Sequence, residues 1–238
     1  MTPIDYPYLP PGRHLKYDSV EDPFMLEASL ARQTNAGDSL YPVGAVLVKE
    51  GIVIARAGNG FNKGPGQVHV CPRVVLDCPS GTGYDLCTLH EPPGHAEQMV
   101  LSEALRLGAD PQGSDMYLYG HWWACEPCWT ALLQAGVRDL YVTDDAHERF
   151  SRENVYAQTL SPSIASVSLK GFEGDLLEEV RKMLLDLGLE EKAKEGDVHC
   201  VLDQGKITCF LRETDECVYT LEQGEKLVQQ LKNVLRQV

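Results

Sequence analysis

The sequence holds no run of about 18 apolar residues, so it offers no transmembrane helix. It has no internal repeat, which excludes repeat architectures. Basic charge is scarce: 21 Lys and Arg stand against 35 Asp and Glu, a formal net charge of −14. A field of that sign repels phosphate over the whole surface. It disfavours a grip on long nucleic acid, yet leaves room for a small anion held by a few local cations. The opening residues, MTPIDYPYLPPGRHLKYD, lack a basic segment followed by an apolar one, so no secretory signal and a cytoplasmic location are expected. Eight cysteines in that setting point to a reducing compartment, where thiols serve metals or catalysis more often than disulfides.

What is there is ordinary globular composition, 43% hydrophobic and 24% charged over 238 residues. This excludes a disordered or collagen-like chain. The first 22 residues are rich in Pro and Tyr and read as an extended arm, either packed on a neighbour or loosely ordered. Asp22-Pro23 then opens a helix, as N-cap and first helical residue, and it fades by Asn35. Val43–Val48 and Ile52–Ala57, joined by Glu50-Gly51, form a hairpin of buried strands. The stretch 58–94 is rich in Gly, Pro and Cys, with no clear period. A loop that long is functional or is tied by something other than a core.

Beyond it the pattern predicts helices over 95–107, 125–135 and 145–158, and strands over 116–120, 139–143 and 163–169. Helices alternating with strands after a hairpin argue for an α/β protein, with a mixed sheet covered on both faces. Residues 1–172 are expected to form this domain, with 58–94 as a Cys-rich insertion. Residues 173–238 are expected to form a small C-terminal α+β module: an amphipathic helix over 175–187, a charged linker over 188–197, a hairpin around Gln204-Gly205, and a last helix capped by Thr220-Leu-Glu-Gln223.

Two short segments carry chemistry. Gly94-His95-Ala96-Glu97-Gln98 and Ala124-Cys125-Glu126-Pro127-Cys128 each open a predicted helix. One imidazole and two thiolates supply three ligands to a tetrahedral zinc and leave a fourth corner for water, which is the catalytic pattern. The positive end of a helix favours the thiolate form of each Cys. Glu97 lies two residues from the imidazole and is placed to carry a proton between water and substrate. A lone CxxC also serves structural half-sites and redox pairs. Here both segments occur in order, with a predicted strand between them.

The pair of segments matches the H-x-E and C-x-x-C pattern of zinc deaminases. With PVGAVLV at 42–48, Gly-Phe-Asn at 60–62, LYGHWWACEPC at 118–128 and LLQAGVRDLYVTDD at 132–145, residues 22–170 resemble the cytidine deaminase superfamily, most closely its deoxycytidylate (dCMP) deaminase branch. CPRVVLDCPSGTGYDLC at 71–87 is similar to the Cys-bearing insertion of phage-type members. The resemblance implies a three-layer α/β/α sandwich. It makes His95, Cys125 and Cys128 the zinc ligands and Glu97 the proton shuttle, and it matches Asn62 to a residue that contacts the sugar. Ala124 departs from the family, which usually has Pro there, but contributes no ligand.

The implied reaction is hydrolytic deamination of a cytosine nucleotide, dCMP to dUMP, with backbone groups near Ala96 and Ala124 fixing the ring. Alternatives in the same superfamily are cytidine, a modified pyrimidine or a purine base. A different class of reading is an idle deaminase fold that serves as a binding module, against which the intact Glu97 argues. Trp122 and Trp123 either wall the base pocket or pack the sheet. Lys63 and Arg73 are candidates for a 5′-phosphate, or simply solvated cations. One reading of the insertion is a second, structural zinc on Cys71, Cys78, Cys87 and His90, with His69 as a substitute ligand. The other reading is thiols packed as small hydrophobes. Cys200, Cys209 and Cys217 are read as packing thiols. Partners are expected to be a small nucleotide and further copies of the chain, with no membrane.

Overall fold

The computed structural model describes residues 4–60, 70–79, 81–87, 91–214, 216–222 and 224–238. In chain order the elements begin with β1 (Lys16–Asp18), α1 (Pro23–Asn35), β2 (Gly44–Lys49), β3 (Ile52–Gly58), α2 (Pro72–Val75) and α3 (Ala96–Arg106). Then follow β4 (Asp115–Tyr119), α4 (Glu126–Gln134), β5 (Leu140–Thr143), α5 (Ala146–Arg149), α6 (Arg152–Thr159) and β6 (Ser166–Lys170). The last are α7 (Gly174–Asp186), β7 (Glu190–Lys192), β8 (Val198–Asp203), β9 (Lys206–Leu211), β10 (Cys217–Glu222) and α8 (Leu227–Leu235). The chain divides into two compact units. Unit 1 takes Met1–Gly64 and Pro79–Thr159, and unit 2 takes Pro65–Cys78 and Leu160–Val238. Among the described residues no helix is long and apolar enough to cross a membrane.

Unit 1 is built on a sheet in the order β1-β5-β4-β2-β3. β1, β5 and β4 run parallel, while β2 is antiparallel to both β4 and β3. The two faces of β2 separate its side chains, as the period of a strand requires. Val46 and Val48 pack with Met25, Ala28 and Ala31 of α1. Ala45 and Leu47 pack with Val100 and Ala104 of α3 and Leu132 of α4. This is the three-layer α/β/α arrangement. As expected, Asp22 caps α1: its Oδ1 accepts from the amides of Phe24 (2.8 Å) and Met25 (3.0 Å).

The N-terminal arm packs on its own unit. Tyr6, Tyr8 and Leu9 lie against the core, Leu15 is buried, and β1 extends the sheet beside β5.

Unit 2 has its own sheet, β10-β9-β8-β6-β7, covered by α7 and α8. The strand expected at 163–169 belongs here and not to the first sheet, since β6 pairs in parallel with β7 and β8. Two further elements differ from expectation. β7 lies in the segment read as a linker, and its exposed Glu-Glu-Lys is suited to the edge of a sheet. Thr220–Glu222 does not cap a helix but belongs to β10. That strand fills the free edge of β9, with Glu222 opposite Lys206 in register and 2.8 Å from its ammonium. The last helix starts at Leu227 instead.

The 70–78 limb of the insertion packs into unit 2: Val70 and Val75 share a core with Val234 and Leu235 of α8. Asn233 donates to the carbonyls of Val74 (3.0 Å) and Val75 (3.4 Å), and Gln237 Oε1 accepts from the Cys71 amide (2.7 Å).

Candidate metal centre

The site lies in unit 1, where α3 and α4 begin. Gly120 (φ +104°) turns the chain out of β4 into the loop that precedes α4. A Cβ at Gly120 would meet the Pro42 carbonyl oxygen at 2.5 Å, so only glycine fits this turn without a shift. His95 is the N-cap residue of α3 and Cys125 that of α4, and neither side chain caps its helix. Both are turned instead to a common point. His95 Nδ1 lies 3.4 Å from Cys125 Sγ and 3.4 Å from Cys128 Sγ.

These three donors form the one group of three or more His, Cys, Asp or Glu side chains, among the described residues, that could hold a metal ion. Tetrahedral angles with Zn–N of about 2.05 Å and Zn–S of about 2.3 Å require an N···S separation of about 3.6 Å. The observed spacing fits a zinc ion within a few tenths of an ångström.

Electrostatics favour such an ion. Two helix N-termini converge on the site and stabilise negative charge there. Cys125 is drawn down to about 5, first by a hydrogen bond with Cys128 and then by His95. The same sulfur contact and burial push the Cys128 thiol up. Glu97 is 6% exposed. Burial raises its carboxyl to about 7, with His95 opposing and Cys125 adding to the rise.

Trp123 is buried in the core, whereas Trp122 is partly exposed. The ring of Trp122 meets His147 edge-on at 4.6 Å and Tyr6 at 5.8 Å. The indole nitrogens of Trp123 and Trp129 are buried donors with no hydrogen-bond acceptor among the described residues. Ala96 and Ala124, each 1% exposed, flank the ligands in sequence. Two contacts were not foreseen from the sequence. His121 Nδ1 lies 2.7 Å from the Trp123 carbonyl oxygen, and Tyr84 packs edge-to-face on the His95 ring at 5.1 Å. An aromatic residue inside the Gly81-Thr-Gly83-Tyr84 segment was the available signal.

Asn62, Lys63, His69 and His90 lie outside the described residues. Arg73, Cys71 and Cys78 fall in unit 2, while Cys87 falls in unit 1.

The family model for the cytidine and deoxycytidylate deaminase zinc-binding region matches residues 19–144, more than half of the chain, and spans all three donors. The chain belongs to this deaminase family.

Among solved structures, the deaminase is similar to dCMP deaminase from the cyanophage S-TIM5 in apo form, at 26% identity over 53% of this chain and 86% of that one, with a TM-score of 0.33. A diaminohydroxyphosphoribosylaminopyrimidine deaminase/reductase from Thermotoga maritima matches at 20% identity over 62% of this chain and 43% of that one, with a TM-score of 0.32. Guanine deaminase from Bacillus subtilis matches at 21% identity over 64% and 83%, with a TM-score of 0.25. The family assignment rests on residues 19–144. No curated protein matches the chain significantly.

Proposed function

We propose that this deaminase hydrolyses a free cytosine nucleotide, taking dCMP and water to dUMP and ammonia. The observation that supports it is the convergence of His95, Cys125 and Cys128, with the buried carboxyl of Glu97 two residues from the imidazole. Held by these three side chains, zinc would supply the Lewis acidity that makes water nucleophilic near neutral pH. Glu97 takes a proton from the attacking water and protonates N3 of the ring as oxygen adds at C4. It then passes the second proton to the departing amine, so the C4–N bond breaks and ammonia leaves. Backbone groups of Ala96 and Ala124 orient the ring, and Trp122 and Trp123 wall it. The sugar contact of Asn62 and the phosphate contact of Lys63 rest on the sequence pattern alone. So does a second, structural zinc on the insertion: two zinc ions per chain would support it and one would overturn it.

The choice of a nucleotide over a polynucleotide rests on the −14 charge, and that of dCMP on the motif likeness. The test is ammonia release by the zinc-loaded protein across dCMP, CMP, deoxycytidine, guanine and a single-stranded oligodeoxynucleotide. Release from dCMP alone supports the proposal. Release from another member of the panel alone overturns the substrate, and release from none overturns hydrolysis. Glu97→Gln should keep its zinc and lower kcat by about 10²- to 10⁴-fold; an unchanged kcat removes Glu97 from the reaction.

A further inference from the structure

Residues 81–86 of the insertion lie against the ligand His95 and against Trp123, which immediately precedes the Ala124–Cys128 segment. Gly81 (φ +80°) lies against the Trp123 indole, where an added Cβ would meet Cη2 at 3.2 Å and Cζ2 at 3.6 Å. Three residues on, the turn Tyr84–Leu86 starts from Gly83, which is itself left-handed (φ 68°). This turn sets the Tyr84 ring against the His95 imidazole, with 5.1 Å between centroids and 63° between planes. Gly81, Tyr84, His95 and Trp123 all belong to unit 1. His95 opens its helix with no side-chain cap hydrogen bond, so groups packed on its ring from other segments contribute to its orientation. A metal-binding imidazole loses affinity when its plane is free to turn, because the donor lone pair then leaves the ion.

We propose that Tyr84 is a positioning residue of the metal centre, whose ring holds the His95 imidazole with Nδ1 toward the two sulfurs. This deepens the zinc reading of the same three ligands and rests on it. The contact is made by the ring and not by the phenol oxygen, so Phe should replace Tyr84 and Ala should not. The packing of Gly81 on Trp123 anchors the turn at its other end, so the aromatic wall and the ligand are held by one short segment.

The test uses the zinc-loaded full chain and its cobalt-substituted form, with Tyr84→Phe and Tyr84→Ala. The readouts are the rate of zinc release to a chromogenic chelator and the visible absorption of bound cobalt. Tyr84→Ala should release zinc about 10-fold faster and shift the cobalt bands, and Tyr84→Phe should match the parent protein. A Tyr84→Ala protein with the parent rate and spectrum overturns the inference, as does a Tyr84→Phe protein as impaired as Tyr84→Ala. Should Tyr84→Ala not fold, Tyr84→Leu takes its place, with faster release expected and an unchanged rate overturning the inference. If the parent protein takes up no metal at His95, the zinc reading falls and this inference with it. If the parent binds metal and the alanine variant is indifferent, only the role of Tyr84 falls.

Discussion

The side chain of Asn233 donates to the backbone carbonyl of Val74 over 3.0 Å, across 159 positions of the sequence. The last helix thereby closes the end of a short helix that belongs to the insertion. The C-terminal module is thus the support of the 70–78 limb. Asn233→Leu would leave buried carbonyls without their donor, at a cost of about 1–3 kcal/mol. A lower urea midpoint and faster amide exchange over 71–76 are expected. Unchanged exchange there would show that the hydrogen bonds do not hold the limb.

The metal centre predicts a stoichiometric loss. His95→Ala, Cys125→Ser and Cys128→Ser should each lower the zinc content by one equivalent per chain in elemental analysis. Chelation of the parent protein should stop ammonia release, and added zinc should restore it. Full zinc content in any of the three variants would exclude that residue as a ligand.

Thiol reactivity should follow burial. Cys217 is exposed, whereas Cys200 and Cys209 are fully buried with their sulfurs 3.1 Å apart. The Cys200 thiol is pushed up by its contact with Cys209 and by burial, so it stays protonated and inert. A disulfide reagent should therefore label Cys217 in the native protein, and Cys200 and Cys209 only after unfolding in urea. Peptide mass mapping reads the difference, and native labelling of Cys200 would contradict the packing of unit 2.

Asp197 predicts a pH dependence. Its Oδ2 accepts from the amides of Ala165 and Ser166, both at 2.8 Å, and from the Ser166 hydroxyl at 3.0 Å. The Ala165 amide first, and then the Ser166 hydroxyl, hold the carboxyl below the usual range. A lowered folded pKa gives stability that is full above the unfolded value of ~3.9 and is lost as pH falls through the folded one. The stability gap between the parent protein and Asp197→Ala should be widest near neutral pH and shrink below pH ~4. Urea unfolding at a series of pH values measures it, and a gap that widens in acid would reverse the assignment.

Much of the site was legible because its residue types are rare and specific in their chemistry. His95, Glu97, Cys125 and Cys128 stand in short segments at helix starts, and three of them could be read as ligands from donor chemistry alone. Tyr84 and His121 were not legible, since an aromatic ring or an imidazole carries no local mark of the group it will touch. Thr220–Glu222 misled because a capping pattern is local, while the pull that made it a strand was the unfilled edge of β9.

By itself the sequence determined what near neighbours dictate: the Asp22 cap, the 44–58 hairpin, the helix starts at the ligands, and the donor set. Those features depend on interactions a few residues long. Only the tertiary structure decided that Ser166–Lys170 joins the second sheet, that the N-terminal arm docks on its own unit, and that the insertion is shared between the two units. Each of these depends on which distant edge or apolar face is left uncovered when the chain collapses. The order of residues along a segment does not carry that information.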